Sequence, residues 1–181
     1  MVVTENSIYL SIVILIYIPY GIFVNMGEIQ NEGVRFTFSD LNWEAPEDLQ
    51  GKWGYNMRIR RKTPDNNGFE AILNIRIDPN VLSIDQLTES ELAKARKGDA
   101  SFSKVSEGPA AFMPTSTPGE QFDSRKIVFT KTNPKFGPIK VQLIALVAHN
   151  RGIIMNYEAL ESNFDLYLNE ANTILYSLQF I

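Results

Sequence analysis

Apolar and polar residues alternate from Val34 to Ser39 (VRFTFS), the period of a half-buried strand. Two further runs, Trp53 to Arg61 (WGYNMRIRR) and Phe69 to Ile77 (FEAILNIRI), flank KTPDNNG. The Pro, Asp, Asn and Gly of that link are turn chemistry, so the pair reads as a hairpin. Within its first strand Arg58 and Arg60 fall on one face and Arg61 on the other. The period then changes at SIDQLTESELAKARKG. Ser83 with Gln86 has capping-box spacing, Lys94, Arg96 and Lys97 crowd the last turn, and Gly98 supplies a left-handed end. Ile84, Leu87, Glu91, Leu92 and Ala95 form only a narrow apolar stripe, which predicts a helix on the surface rather than through a core.

Between Glu107 and Ser124, Pro109, Pro114 and Pro118 with two glycines interrupt any strand and predict a loop, with AAFM at most a short edge piece. The C-terminal third returns to order. RKIVFTKT and IKVQLIALVAH bracket NPKFGP, GIIMNYEAL follows the tight reversal NRG, and an antiparallel three-strand meander is expected. Ser162, with Asp165 three residues on, is placed to cap a final helix. Phe164, Leu168, Ala171 and Leu175 form its apolar face, widened by Tyr167, Ile174 and Leu178, and the chain ends in the extended piece LQFI.

The patterning therefore predicts one α+β domain over residues 28–181, a central antiparallel sheet flanked by helices. Residues 1–27 stand apart, because Ile8 to Val24 is apolar and uncharged. An export or membrane-anchor segment is the leading reading. No Lys or Arg precedes it and no small-residue cleavage site follows, so a mis-assigned start, with Met26 as the true one, and a buried core element stay open. Export or anchoring places the domain on the periplasmic or extracellular side; a start at Met26 makes it cytoplasmic.

Composition narrows the chemistry. A formal charge of -4 gives no general attraction for phosphate backbones, and no nucleic-acid partner is expected. With no Cys, disulfides, thiolate nucleophiles and iron–sulfur clusters are excluded. The order of elements resembles the PsbP-like superfamily, whose bacterial branch includes the DcrB-like lipoproteins. The likeness covers about Gly33 to Ile181: a strand after EG, a Trp in the following loop, a hairpin, a capped helix, GPAA, a meander, and a last helix ending ILxSxxF at Ile174, Leu175, Ser177 and Phe180. The resemblance implies an α/β/α sandwich and a protein that acts by binding. It transfers no functional residue, and the lipidated Cys of many exported members is missing.

Candidate sites are correspondingly sparse. His149 sits beside a turn with no nucleophile or carboxylate at suitable spacing, so no catalytic role is assigned to it. Asp40, Glu44, Glu47 and Asp48 surround Trp43 without EF-hand spacing and read as a solvated loop. No phosphate loop, nucleotide fingerprint, metalloprotease helix or nucleophile elbow occurs, and neither a cofactor nor a metal is expected. The residues left without a packing task are Arg58 and Arg60 and, in the Pro-rich loop, Phe112 and Met113. The leading expectation is a non-enzymatic protein-binding or assembly module, its partner another protein or a membrane complex, with Ile8 to Val24 as the membrane contact. The alternative is a carrier of a small apolar ligand, or a hydrolase. Its pocket would lie between sheet and C-terminal helix, and an apolar lining of Trp43, Trp53 and Tyr55 would favour it.

Overall fold

The computed structural model describes residues 25–97, 99, 101–110 and 122–181. The first two strands, β1 (Met26–Asn31) and β2 (Val34–Ser39), form an antiparallel hairpin turned by Glu32 and Gly33. Next come β3 (Trp43–Glu44), β4 (Met57–Arg61), β5 (Ile72–Pro79) and helix α1 (Ile84–Lys97). The rest is β6 (Ser103–Pro109), β7 (Asp123–Asn133), β8 (Gly137–Ala148), β9 (Arg151–Leu160), helix α2 (Phe164–Leu175) and β10 (Gln179–Phe180). Among the described residues these strands make two antiparallel sheets, a small one ordered β1-β2-β10 and a seven-stranded one ordered β3-β4-β5-β9-β8-β7-β6.

Both faces of the large sheet are covered around β8, and that explains the sequence of this strand. Ile139, Val141, Leu143 and Ala145 of β8 face one core with Leu87 and Leu92 of α1; Ile144, Leu146 and Ala148 face a second core with Phe164, Ile174 and Leu175 of α2. A strand buried on both sides needs no alternation, hence the near-continuous apolar run of β8. The small sheet contributes Val34, Phe36 and Phe38 to the α2-side core. Gly152 lets α1 approach closely: a Cβ there would stand 3.0 Å from both Leu87 methyls and from Val81 Cβ. α1 consequently buries Leu87, Thr88, Glu91 and Leu92, more than a surface helix would.

Other details also differ from the sequence reading. β6 occupies the first residues of the expected loop; it is an exposed edge strand with a bulge between Lys104 and Ser106, and with neither face buried it has no periodic signal. β4 starts only at Met57, because Trp53 and Gly54 take left-handed φ of 54° and 77°. Ser162 does not cap α2. The N-cap is Asn163, which makes no side-chain capping bond and instead reaches Asp65 at 3.3 Å. The final piece LQFI does become a strand, pairing with β2. Ile8 to Val24, Gly98, Phe112 and Met113 lie outside the described residues.

Candidate functional site

Met57 and Ile59 turn into the α2-side core, so Arg58 and Arg60 project from the opposite, α1-side face of β4. α1 lies over β7 and β8 and leaves the β4–β5 end of that face without a helix. The uncovered surface is polar. Across the strands Arg58 stands opposite Asn74, Asn74 opposite Asn156, and Ile72 opposite Glu158. Two adjoining hollows of about 490 and 480 Å³ open here and share Trp53, Tyr55, Lys131 and Glu158. The first has an apolar wall that includes Leu49, Phe69, Ile72, Phe136 and Ile139. The second runs toward Arg76, Glu91 and Asn156 beside α1.

The loop before β4 holds the Arg58 corner in place. The side chain of Gln50 substitutes for a missing strand: its Oε1 accepts the Arg58 N–H at 2.9 Å and its Nε2 donates to the Arg58 carbonyl at 2.9 Å. Trp53 is 68% exposed in spite of its left-handed backbone, a conformation that costs a bulky residue about 1 kcal/mol or more. The Arg58 guanidinium lies 4.3 Å from the centre of the Trp53 ring and 5.8 Å from that of Tyr55.

Ion pairs account for every charged side chain lining the hollows except Arg58. Arg60 bonds Glu44 at 2.8 Å and Glu70 at 3.1 Å, and Lys131 bonds Glu158 at 2.8 Å. Arg76 bonds Asp78 at 2.9 Å and the buried Glu91 at 2.6 Å, and Lys94 reaches Glu91 at 3.4 Å. Burial works against the Arg76 charge, but Asp78 and Glu91 outweigh it and hold its pKa above the ordinary value. Arg58 has no ion pair among the described residues, and burial pulls its pKa down against the opposing pull of Glu158 and Tyr55. It stays charged, because a guanidinium does not titrate near neutral pH. Burial, followed by the charges of Glu158 and Glu91, raises the Tyr55 pKa, so its hydroxyl stays protonated.

Unsatisfied polar atoms gather at the same place. Four buried side-chain N or O atoms lack a hydrogen-bond partner among the described residues, and three of them, Arg58 Nε, Asn74 Oδ1 and Asn156 Oδ1, belong to residues lining the hollows. Asn74 is 2% exposed and spends its amide hydrogen on Glu158 at 3.0 Å, leaving the carbonyl oxygen over.

The other residues singled out from the sequence are placed elsewhere. Trp43 is buried on the α2 side, donating to Glu170 at 2.9 Å, whereas Trp53 and Tyr55 lie on the opposite face of the sheet, so the three share no pocket. Arg61, on the α2 side, lies 3.9 Å from the Tyr167 ring centre and donates to Glu170 at 3.1 Å. His149, in the β8–β9 turn, meets the Phe180 ring edge-on at 4.8 Å. Among the described residues no cluster of His, Asp and Glu could hold a metal ion. The sequence reading missed Asn74, Asn156 and Glu158. Their signal was available: each is a polar residue at the alternate position of an otherwise apolar strand, with Asn74 followed two residues on by Arg76 and Asn156 by Glu158.

No family model matches the chain, and no curated protein matches it in sequence. Solved structures do match. Cyanobacterial PsbP (CyanoP) from Synechocystis sp. PCC 6803 superposes with a TM-score of 0.60 at 10% identity, over 90% of this chain and 95% of that one. LpqN, involved in cell envelope biogenesis of Mycobacterium tuberculosis, gives 0.60 at 11% identity, over 88% and 86%. PA94 from Pseudomonas aeruginosa, a putative regulator, gives 0.52 at 8% identity, over 84% and 94%. With a large antiparallel sheet between α1 on one face and α2 with the small sheet on the other, and with these superpositions along nearly its whole described length, the chain has the PsbP-like fold.

Proposed function

We propose that the protein is a non-enzymatic binding module, exported or held at a membrane by its apolar 8–24 segment, and that another protein docks at the corner of β4 where Arg58, Trp53 and Tyr55 meet. Arg58 carries the reading. A half-buried guanidinium that lies over the Trp53 ring near Tyr55 and has no carboxylate partner among the described residues contributes little to the fold, whereas Arg, Trp and Tyr are the residues in which interface energy concentrates. Arg60 is held by Glu44 and Glu70 and serves as scaffold. Neither hollow is lined by Ser, Thr, Cys or His, so hydrolysis of the Ser–His kind lacks its atoms there. The connection of LpqN with the cell envelope supports a role outside the cytoplasm. Among the described residues no helix is long and apolar enough to cross a membrane.

A small-ligand carrier is the second reading, favoured by the apolar wall of the first hollow, on the α1 side of the sheet rather than beneath α2. Capture from host membrane extract, with a photoreactive residue in place of the exposed Lys52 beside Trp53, separates the two. Wild type should crosslink one protein that Arg58→Glu loses at an unchanged melting temperature. Equal crosslinking by both proteins would remove this corner from the interface.

A further inference from the structure

The two hollows together carry one surplus positive charge, because every other charge lining them is paired. A site with a single unpaired guanidinium is matched by a single anionic group, and the planar fork of Arg favours a carboxylate held by two bonds. Asn74, directly opposite Arg58 on β5, adds a carbonyl oxygen with no donor among the described residues, so the ligand needs an N–H or O–H close to its carboxylate. The first hollow is also lined by Leu49, Phe69, Phe136 and Ile139, which accept an apolar group. Its volume of about 490 Å³ lies within the roughly 300–1,000 Å³ range of small-ligand sites.

A carboxylate, a neighbouring N–H and an apolar side chain on one carbon describe the last residue of a polypeptide. An acidic side chain has no donor beside its carboxylate, and a fatty acid has none at all. We therefore propose, resting on the binding-module reading above, that the site takes the C-terminal residue of a partner chain: its carboxylate on the guanidinium of Arg58, its amide N–H on Asn74 Oδ1, and its apolar side chain against Phe69 and Phe136. Arg58 Nε and Asn74 Oδ1 are both closed off from solvent, so the incoming residue reaches them as the guanidinium lifts from the Trp53 ring. Trp53 emission reports that movement, while Trp43, buried on the other side of the sheet, supplies a constant background.

The probes are acetyl-Gly-Gly-Phe as the free acid, the same peptide as its C-terminal amide, and acetyl-Gly-Glu-Gly amide, titrated against the full chain by Trp fluorescence and by NMR. The free acid should bind and change the emission. Amidation and Arg58→Gln should each weaken binding roughly 10- to 100-fold, the loss of a charge-assisted bond. Lys140→Gln, which removes a positive charge outside both hollows, should leave the affinity unaltered, and melting curves show whether each variant is folded. Trp53→Phe should abolish the fluorescence change but preserve the NMR shifts. Equal binding of acid and amide, equal binding of the internal Glu peptide, absence of binding by the free acid, or wild-type affinity in Arg58→Gln would each overturn the proposal. If Arg58→Glu nonetheless loses the crosslinked partner, the binding module stands and only the chemistry of what it grips is wrong.

Discussion

If Arg58 serves binding rather than folding, the fold should do as well or better without its charge. In Arg58→Met the apolar stem remains to cover Trp53, while the guanidinium is removed. Its buried Nε leaves a donor unmet, which costs about 1–3 kcal/mol, and its contact with the half-wet Trp53 ring returns about 0.5–1 kcal/mol. The terminal nitrogens keep water around them and add little either way. The balance favours methionine by up to about 2 kcal/mol, and since 1 kcal/mol shifts the melting temperature of a domain this size by roughly 2–4 °C, the rise should be detectable. Arg60→Met on the same strand face is the control. It breaks bonds to Glu44 and Glu70 at the surface and should cost up to about 1 kcal/mol. Urea unfolding of both variants, with the m-value checked for constancy, measures the difference in sign. A loss of more than about 1 kcal/mol for Arg58→Met would refute the reasoning and make Arg58 a structural residue.

Leu175 is fully buried against the α2-side core, whereas Leu168 on the same helix is only partly so; Leu175→Ala should cost about 3–5 kcal/mol and Leu168→Ala about 1–2 kcal/mol in the same unfolding assay, and equal costs would contradict the placement of α2. Asp99 accepts bonds from the Ser101 hydroxyl at 2.5 Å, the Thr132 N–H at 2.6 Å and the Ser101 N–H at 2.7 Å, and these lower its pKa. Because the folded value is depressed, its contribution to stability is complete above the unfolded value of about 4 and is lost as pH falls through the lower folded one; Asp99→Asn should flatten the stability profile in that window alone, and an unaltered profile would count against it.

The fold was legible wherever one physical demand dominated. Strands β8 and β9 announced themselves through long apolar runs because two cores demand it, β7 through the turn residues after its short apolar stretch, and α2 through Phe164, Ala171, Ile174 and Leu175 recurring on one face. β6 was not legible, since a strand exposed on both faces is held by backbone bonds to β7 that any sequence can make. The shared face of Arg58 and Arg60 followed from strand period, but their opposite circumstances did not: what separates them is Glu44 from β3 and Glu70 from the β4–β5 loop, brought together only by pairing. Asn74 and Asn156 meet across β5 and β9 at a separation along the chain that no local pattern spans.

The position of the site follows from the dimensions of the layers. Seven strands spaced about 4.8 Å apart give a face about 30 Å wide, whereas one helix is about 10 Å across and therefore covers about two strands. On one side α2 is helped by the small sheet, and the two cover a large apolar core in which the polar side chains, such as Arg61 and Gln142, find partners on α2. On the other α1 works alone, over β7, β8 and the Gly152 end of β9, so the polar side chains of β4 and the adjoining part of β5 are left without an apolar cover. Water alone would be served by any scatter of charges. It does not call for a tryptophan held exposed in a left-handed turn, nor, among the described residues, for an arginine with no carboxylate or for two asparagine oxygens sealed without donors, and each of these weakens the fold by its own amount. Their coincidence at the one stretch of sheet that the layers leave uncovered is what a binding surface requires: rigid strands beneath, and polar groups above whose bonds are completed by something other than the chain itself.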